Sequence, residues 1–492
     1  MARNQKNLLF IWTDEQRTDT LGASGNLSIR TPHVDRLAES GIFFENAYCT
    51  QPVCSPSRAS IMTGVYPHTH QLFSNNQMLT REVPTIAELL GPAGYTCGYV
   101  GKWHLGNELT PQRGFEQFWR TTEDNYTEYH ESVGYSTYHQ FLTARGYTPP
   151  DRTTDGRTIF SRATAARLPE EVGKPAYQTQ ETIRFLEKYR DQPFFLSVNF
   201  LEPHMPFFGP WDGLYGADDV SLAESWYLPM DDTVPLRLRV LRERYATANP
   251  HVHTNDEAGW KNLKARYWGL CSLVDKYVGQ ILQRLDELGL ADDTIVVYTS
   301  DHGDMMGDHR LVAKCVPYEG AIRVPLIISS SDLPARRLTT PVSQIDLVPT
   351  LLELLGQLRP DHLAGSSLVP SLQNGDHDPD TAEVVVEWHG WDGLPRELPS
   401  QSKYARGAGS RQDIGPSELR TIRRGRWKLN VHLSGEHELY DLHADPGELH
   451  NLIGDPANHE VVQTLHERLR QWQQRHADPL ELPDPSALSG SP

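Results

Sequence analysis

The sequence has no long apolar run and relatively few basic residues. Its 492 residues include 46 Lys and Arg against 64 Asp and Glu, which gives a formal net charge of −18. A general nucleic-acid binder needs basic surface to neutralise phosphates, so this composition argues against that class. The lack of a long apolar run likewise predicts no membrane-spanning helix. An anionic substrate would therefore need a local basic pocket inside an acidic protein.

Cysteine is also scarce. The five cysteines, at positions 49, 54, 97, 271 and 315, are odd in number and widely spaced. They predict neither a disulfide framework nor a Cys-x-x-Cys metal pair. The apolar segment 8–12 near the N-terminus is too short for a signal-peptide core, so we expect a cytoplasmic protein. The spacing of a phosphate-binding P-loop is absent as well.

Continuous apolar runs alternate with helical patterns along most of the chain. Residues 8–13, 194–200 and 294–300 are typical of buried parallel strands, and 260–288 carries an apolar stripe at helical spacing. The length allows a large α/β domain and a smaller one. The pattern changes near residue 375, which predicts a large N-terminal domain over 1–375 and a C-terminal α+β subdomain over 376–492.

Shorter signals give further expectations. A Thr-Pro pair predicts a helix from residue 32 that stops at Gly41, and Thr85 with Glu88 forms a capping box. Residues 107–178 and 211–259 lack periodic apolar residues, so we expect loops and short elements there that cover the functional site. The basic segment 419–431 predicts two strands with a solvated surface.

Acidic side chains and histidines follow the predicted strands. Asp14 and Glu15 follow the first, His204 lies between prolines after the second, and Asp301 and His302 follow the third. Ligands bind beyond the carboxyl ends of such strands, and paired carboxylates suit Ca²⁺ or Mg²⁺. Histidine widens the choice of metal. Taken alone, a solvated acidic turn explains Asp14 and Glu15 equally well, and an isolated histidine is usually structural.

The segment from Cys54 to Arg58 predicts an anion site at a helix start. Ser55 can cap a helix, Pro56 suits its first turn, and Gly64 can end it. Cys54 then lies just before the free N–H groups, and Arg58 follows one turn later with a fork of donors. The alternative is a packed cysteine beside an ordinary helix.

Two motifs carry a resemblance to a known family. Cys54-Ser55-Pro56-Ser57-Arg58 matches every fixed position of Cys-x-Pro-x-Arg, and Gly101-Lys102-Trp103-His104-Leu105-Gly106 follows in the expected order. Both resemble the signatures of the type I, formylglycine-dependent sulfatases of the alkaline phosphatase superfamily. The resemblance extends over nearly the whole chain and implies a large mixed, mostly parallel sheet flanked by helices. It also implies hydrolysis of a sulfate ester to an alcohol and sulfate.

The resemblance also implies a nucleophile and roles for other site residues. A formylglycine-generating enzyme would convert Cys54 to formylglycine, whose hydrate attacks sulfur. One divalent metal ion would be present, with Ca²⁺ as first choice and Mg²⁺ or Mn²⁺ as alternatives. Its ligands would be Asp14, Glu15, Cys54, Asp301 and His302. Arg58 would orient the nucleophile and His104 would take the proton that releases sulfate. The residues binding sulfate oxygens would be Lys102, His204 and Lys314.

Two departures from the family pattern leave the substrate open. Asp301-His302 stands where many members have Asp-Asn, and Glu15 where many have a second Asp. The Asp-His pair also occurs in iduronate and choline sulfatases and in phosphonate monoester hydrolases. Hydrolysis of a phosphonate monoester or phosphate diester is therefore the alternative. An alternative from another class is a non-catalytic sulfoglycan-binding protein. Such a protein would need neither an oxidisable cysteine nor a complete set of metal ligands, and the sequence has both. The leaving group, small molecule or saccharide, and the oligomeric state are not predicted.

Overall fold

The computed structural model describes residues 5–124, 126, 134–154, 156–229, 234–248, 254, 256–376, 379–390 and 416–484. The strands are β1 (Asn7–Asp14), β2 (Ile42–Tyr48), β3 (Thr96–Gly101), β4 (Phe118–Thr121), β5 (Asp151–Arg152), β6 (Thr158–Ile159), β7 (Phe194–Pro203), β8 (Thr294–Ser300), β9 (Arg323–Ser329), β10 (Arg336–Leu338), β11 (Val342–Ser343), β12 (Glu383–Trp388), β13 (Leu419–Arg424), β14 (Trp427–His432) and β15 (Glu438–Asp441). The helices are α1 (Pro32–Ser40), α2 (Cys54–Thr63), α3 (Pro67–His70), α4 (Ile86–Leu90), α5 (Thr137–Thr143), α6 (Arg162–Ala165), α7 (Lys174–Tyr189), α8 (Glu224–Tyr227), α9 (Leu236–Ala248), α10 (Glu257–Glu287), α11 (Glu319–Ile322), α12 (Leu347–Leu354), α13 (Val369–Asn374) and α14 (His459–His476).

The main sheet has the order β10-β2-β9-β8-β1-β7-β3-β4, and β11 pairs with β2. Within it β9 runs antiparallel to both of its neighbours, and the other pairs are parallel. The predicted large mixed, mostly parallel sheet is confirmed. The order β8-β1-β7-β3 places the carboxyl ends of four strands side by side, which is where polar residues follow each strand.

Both faces of this sheet are covered, which explains why its central strands are mostly apolar. Leu8, Phe10 and Trp12 of β1 pack in one cluster with residues of α2, α4 and α12. Leu9 and Ile11 pack in a second cluster with residues of α1, α7 and α10. Alternate residues of a strand point to opposite faces, so a strand buried on both sides is apolar at most of its positions.

The small sheet has the antiparallel order β12-β13-β14-β15. Its apolar face packs on α14, through residues such as Ile422, Leu429 and Leu469, and also contacts Tyr66 and Ile345. The predicted C-terminal antiparallel sheet and terminal helix are therefore present. The domain boundary at residue 375 stays a prediction.

Several local predictions match the structure and others do not. The Thr85–Glu88 capping box is present, and α1 starts at Pro32 as predicted. The segment 107–178 contributes β4 to the main sheet, so it is not only an insertion. Lys428, expected on a solvated surface, is buried against Glu319. The stretch 394–416, whose Pro, Gly, Ser and Arg residues predict a loop, lies almost entirely outside the described residues.

The helices give no evidence of a membrane span. In the part of the chain that the structure describes, no helix combines the length and apolar character needed to cross a bilayer.

Candidate active site

Four neighbouring strand ends carry the predicted site residues to one rim. Asp14 is the last residue of β1, while Lys102, His204 and Asp301 each directly follow a strand, namely β3, β7 and β8. Because these strands are adjacent and parallel, the side chains converge although they lie far apart in sequence. Asp14, Lys102 and Asp301 have no solvent exposure.

Helix α2 brings Cys54 to this rim from the side. Cys54 is its first residue and Val53 its N-cap, so the predicted cap at Ser55 is wrong. Ser55 instead donates from its hydroxyl to the carbonyl of His104, at 2.7 Å. This bond joins the cysteine-bearing helix to the loop after β3, and such a long-range partner cannot be read from a local pattern. The predicted helix end at Gly64 is confirmed.

Arg58 lies one turn after Cys54 and is fully buried. It donates from Nη2 to Asp14 at 2.7 Å and from Nε to Asp301 at 2.9 Å. Nη1 donates to Asn199 Oδ1 at 2.9 Å and to the carbonyl of Lys102 at 2.7 Å. Every nitrogen of the guanidinium therefore has a protein acceptor. Arg58 thus holds two carboxylates of the site, and its role in orienting the nucleophile stays a prediction.

A first group of candidate metal ligands surrounds the thiol of Cys54. Ligand atoms of Asp14, Cys54, Asp301 and His302 all lie within 4.8 Å of one another. The Sγ atom is 3.3 Å from His302 Nε2 and 3.7 Å from Asp14 Oδ1. His302 donates from Nδ1 to the carbonyl of Gly303, so in the neutral ring the lone pair of Nε2 points into the site. This donor set fits a divalent cation.

Glu15 belongs to a second group with Asp14 and His204. Its carboxylate forms an ion pair with Lys314, and His204 Nε2 lies 3.4 Å from Oε1. Among the described residues Oε2 accepts no hydrogen bond, although it is buried. Glu15 also has a left-handed φ of 68°, a strained conformation for a non-glycine residue. The predicted five-ligand set is thus divided in this structure, and its completion by Glu15 stays a prediction.

The remaining predicted residues form the cationic and imidazole side of the site. Lys102 Nζ lies 2.5 Å from Asp14, whose pKa is held well below its usual range by Lys102 and Arg58 against the opposing effect of burial. Burial lowers the pKa of His104 and of His204 well below the usual value, so both rings are neutral near pH 7. A neutral buried imidazole can accept a proton during a reaction.

The loop after β3 is fixed by residues that the sequence did not indicate. Glu108 accepts from the backbone N–H groups of Trp103 and His104, at 3.1 and 2.7 Å. His104 has a left-handed φ of 58°, and its ring stacks on Tyr126 at 4.1 Å between centroids. Asn199 is a further missed residue, and its only signal is a polar side chain inside an apolar strand. Tyr126 had no signal at all, because it comes from a segment without periodicity.

Comparisons with known proteins agree with this architecture. The family model described as Sulfatase matches residues 6–357, and the model described as N-sulphoglucosamine sulphohydrolase, C-terminal, matches residues 415–475. An ulvan-active sulfatase of Formosa agariphila is 29% identical over 463 residues, covering 92% of this chain and 77% of that protein.

Solved structures extend the likeness. The phosphonate monoester hydrolase SpPMH from Silicibacter pomeroyi has a TM-score of 0.78 at 25% identity, covering 96% of both chains. The structure of BT4656 in complex with its substrate D-glucosamine-2-N,6-O-disulfate has a TM-score of 0.74 at 22% identity, covering 97% of this chain and 99% of that one.

These matches define first a class, the alkaline phosphatase superfamily, whose mixed sheet this protein shares. Within that class the chain belongs to the sulfatase family, whose model covers more than half of it. The predicted enzyme class, a sulfuric ester hydrolase, is confirmed. The roles of the individual site residues remain predictions.

Proposed function

We propose that this protein hydrolyses a sulfate ester to an alcohol and sulfate, with residue 54 as a formylglycine nucleophile beside one divalent metal ion. The observation that carries the proposal is the position of Cys54. It begins a buried helix, and its side chain lies between His302 Nε2 and Asp14 Oδ1, at 3.3 and 3.7 Å. A nucleophilic oxygen at this position would face both the ligand cluster and the cationic side of the site.

The charges of the site support a requirement for the metal ion. Three acidic and three basic side chains meet at the rim and sum to zero when all are charged: Asp14, Glu15, Asp301, Arg58, Lys102 and Lys314. A divalent ion held by the Cys54 group would supply the positive charge that a bound sulfate ester needs. Ca²⁺ remains the first choice, with Mg²⁺ or Mn²⁺ as alternatives, because the donors include both carboxylates and an imidazole.

The unmodified thiol would be a weak nucleophile. Burial, and next the charge of Asp14, raise the pKa of Cys54 to about 12, so the thiolate is scarce near pH 7. Oxidation of the side chain to an aldehyde, followed by hydration, replaces the thiol with two geminal hydroxyl groups. One hydroxyl displaces the alcohol from sulfur, and loss of the proton of the other expels sulfate and restores the aldehyde. A formylglycine-generating enzyme is thus a required partner during maturation.

The surrounding residues have separable tasks in this proposal. Lys102 and Lys314 bind sulfate oxygens, and Arg58 keeps Asp14 and Asp301 oriented through its two ion pairs. His204 also binds sulfate, and either His204 or Lys314 assists departure of the alcohol. His104 is neutral and takes the proton whose loss releases sulfate. Fixed positive charge around the transferred group is expected to be the largest catalytic contribution.

The substrate class draws support from two relatives. An ulvan-active sulfatase and a structure in complex with D-glucosamine-2-N,6-O-disulfate favour a saccharide sulfate ester, with a small-molecule ester as the wider class. The similarity to a phosphonate monoester hydrolase supports a second candidate substrate, because both anions are tetrahedral and of similar size. Lys102 and His104, in the complete Gly-Lys-Trp-His-Leu-Gly motif, favour the sulfate ester. A cytoplasmic location stays a prediction.

The deciding experiment uses protein purified from its native host or co-expressed with a maturation enzyme. Mass spectrometry of the tryptic peptide containing Cys54 is expected to detect the exchange of H₂S for oxygen. The mature protein is then compared on 4-nitrophenyl sulfate and on 4-nitrophenyl phenylphosphonate. We expect the larger kcat/KM on the sulfate ester. A larger value on the phosphonate would replace the sulfatase assignment with the alternative.

Removal of the metal ion is expected to abolish turnover. Dialysis against EDTA should reduce activity to background, and titration with Ca²⁺, Mg²⁺ or Mn²⁺ should identify the ion that restores it. Asp301→Asn should lower metal affinity by about tenfold or more, since even residues that only orient ligands have effects of this size. The matched control is Asp304→Asn.

Asp304 suits that control because it is buried nearby but accepts from the backbone N–H groups of Met306 and Ala313, at 2.8 and 2.9 Å. The Asp304→Asn variant should retain wild-type metal affinity. Full turnover by metal-free protein would contradict the metal requirement.

A further inference from the structure

A second charged cluster lies beside the sulfate pocket. Glu123 is fully buried and pairs with two cations: Arg162 Nε at 2.7 Å and Lys174 Nζ in a closer contact. Arg162 also donates from Nη2 to the hydroxyl of Tyr126. These residues come from the segment 107–178, for which the sequence indicated no specific role. The two cations and one carboxylate leave this cluster with a net positive charge.

The cluster is continuous with the catalytic rim. The ring of Tyr126 stacks on His104, with 4.1 Å between centroids, and the guanidinium carbon of Arg162 lies 5.4 Å from the centre of that tyrosine ring. On the other side, Arg162 and Lys174 line a cavity together with Glu202 and His204. An alcohol leaving from sulfur near His204 would therefore enter a cavity bounded by Arg162.

Arg162 retains a free donor in this cavity. Its Nε and Nη2 atoms bind Glu123 and Tyr126, whereas Nη1 makes no hydrogen bond within the described ranges. The side chain is 19% exposed and lines the cavity, so a ligand there can reach the arginine. The neighbouring Glu202 also has a buried Oε2 without a hydrogen-bond partner among the described residues. Two residues that line one cavity thus each have a polar atom without a partner among the described residues, which indicates a polar ligand.

The charge of Glu202 does not cancel that of the cluster. Burial raises the pKa of Glu202 to about 7, so much of the population carries a neutral carboxyl near neutral pH. Glu123, by contrast, is ionised, because Arg162 and Lys174 lower its pKa to about 2 despite its burial. Glu170, which also lines the cavity, is paired with Lys276, so its charge is balanced and the cavity favours a negatively charged group over a neutral one.

We propose that Arg162 binds a second anionic group on the leaving alcohol, so that the preferred substrate is a sulfate ester whose alcohol also carries a carboxylate or a further sulfate. This inference rests on the proposed sulfatase function. Arg162 would be a specificity-determining residue, while Tyr126 and Glu123 hold its guanidinium in place. A charge-assisted hydrogen bond from Nη1 would supply the discrimination.

The test measures a ratio of kcat/KM values on matched substrates. The probes are the 2- and 3-carboxy derivatives of 4-nitrophenyl sulfate and the corresponding carboxamides, which are of similar size but neutral. Wild-type protein should prefer the carboxylates by about tenfold or more, as expected for one charge-assisted hydrogen bond in a partly buried site. Probes with a second sulfate in place of the carboxylate identify which anion is preferred.

Three variants separate recognition from a structural role. Arg162→Gln should remove most of the preference while changing turnover of the carboxamides by only about twofold, since their contacts with the sulfate pocket are unchanged. Arg162→Lys should retain part of the preference. Glu123→Gln should lower the preference, because Arg162 Nε loses the carboxylate that holds the guanidinium in place. Arg145→Gln, an exposed arginine packed on Phe141 in the same segment, is the matched control and should change nothing.

The outcomes distinguish this inference from the function on which it rests. Equal losses on charged and neutral probes in Arg162→Gln would make Arg162 a structural residue and overturn the proposal. If that variant does not fold, a ratio near one between charged and neutral probes in the wild-type protein overturns the proposal equally. Failure of mature wild-type protein to hydrolyse any of the sulfate esters would instead reject the sulfatase function itself.

Discussion

Replacement of Cys54 by alanine is expected to lower kcat by about 10⁴-fold or more, the usual scale for loss of a catalytic nucleophile. No neighbouring hydroxyl can take over. Ser55 donates to the carbonyl of His104, and Ser57 donates to the carbonyl of Asp301. Stopped-flow and steady-state assays of matured protein on 4-nitrophenyl sulfate measure the loss. Metal binding should change little, because the carboxylates and His302 remain.

Cys97→Ala is the matched control for this change. Cys97 is also fully buried, but it lies within β3 and its thiol faces the carbonyls of Ala87 and Tyr95. Its replacement removes the same atoms from a packed strand, so it should cost some stability and leave kcat unchanged. Full activity in Cys54→Ala would eliminate covalent catalysis and leave direct attack by a water as the mechanism.

The position of the site could be predicted from sequence because strand ends are local features. The apolar runs of β1, β7 and β8 end directly before or at Asp14, His204 and Asp301, and parallel packing then brings these residues together. The capping box at Thr85 was likewise readable, since both of its partners lie within four residues. Signals of this kind depend on spacing that the chain itself fixes.

What sequence reasoning missed depends on contacts between distant segments. Ser55 was a plausible cap, but its hydroxyl has a better acceptor in the carbonyl of His104, 49 residues away. Lys428 lies in a basic run typical of solvated strands, yet it pairs with Glu319 and Glu448 in the interior. A buried ion pair is visible only when both partners have been placed, so composition alone favours the exposed alternative.

Arg162 illustrates the same limit at the site. Its segment has neither apolar periodicity nor a motif, and nothing in it distinguishes this arginine from its neighbours. Its importance comes from a carboxylate at Glu123 and a ring at Tyr126, which the fold of that segment brings beside His104. Specificity in such enzymes is expected to lie in irregular segments like this one, because the strand ends are already committed to the chemistry.

Glu387→Gln is expected to destabilise the protein by about 3–5 kcal/mol, the cost of removing one member of a buried ion pair. Glu387 lies on β12 and binds two histidines, His68 Nδ1 and His389 Nε2, each at 2.6 Å. Arg420 lies 4.0 Å away. The contact joins the small sheet to the segment that follows α2, so its loss should lower the thermal midpoint measured by calorimetry.

The effect should depend on pH in a defined direction. His68 donates from Nε2 to the carbonyl of His476 as well as from Nδ1 to Glu387, so it carries both ring protons. Although burial acts against it, the hydrogen bond and charge of Glu387 raise the pKa of His68. A raised pKa contributes stability that is complete below the unfolded value of about 6.5 and is lost as pH rises through the folded value.

The stability contributed by Glu387 depends on pH in the opposite direction to that of His68. Arg420, His389 and His68 together lower its pKa, against the effect of burial, so its contribution is present above its unfolded value of about 4.3 and is lost as pH falls through the folded value. The stability difference between wild type and Glu387→Gln should thus be largest between about pH 4.5 and 6.5, and it should shrink above that window. Urea unfolding at a series of pH values measures it.

Glu383→Gln supplies the comparison, because it makes the same chemical change on the same strand. Glu383 pairs with Arg468 and Arg475, whose side chains are 36% and 57% exposed. Solvent screens these pairs, so the loss should be only roughly 0–1 kcal/mol and should vary little between pH 5 and 8. If both variants lost equally little free energy of unfolding, the two histidines paired with Glu387 would contribute nothing measurable to stability. The small sheet would then be attached through its apolar contacts with Tyr66 and Ile345.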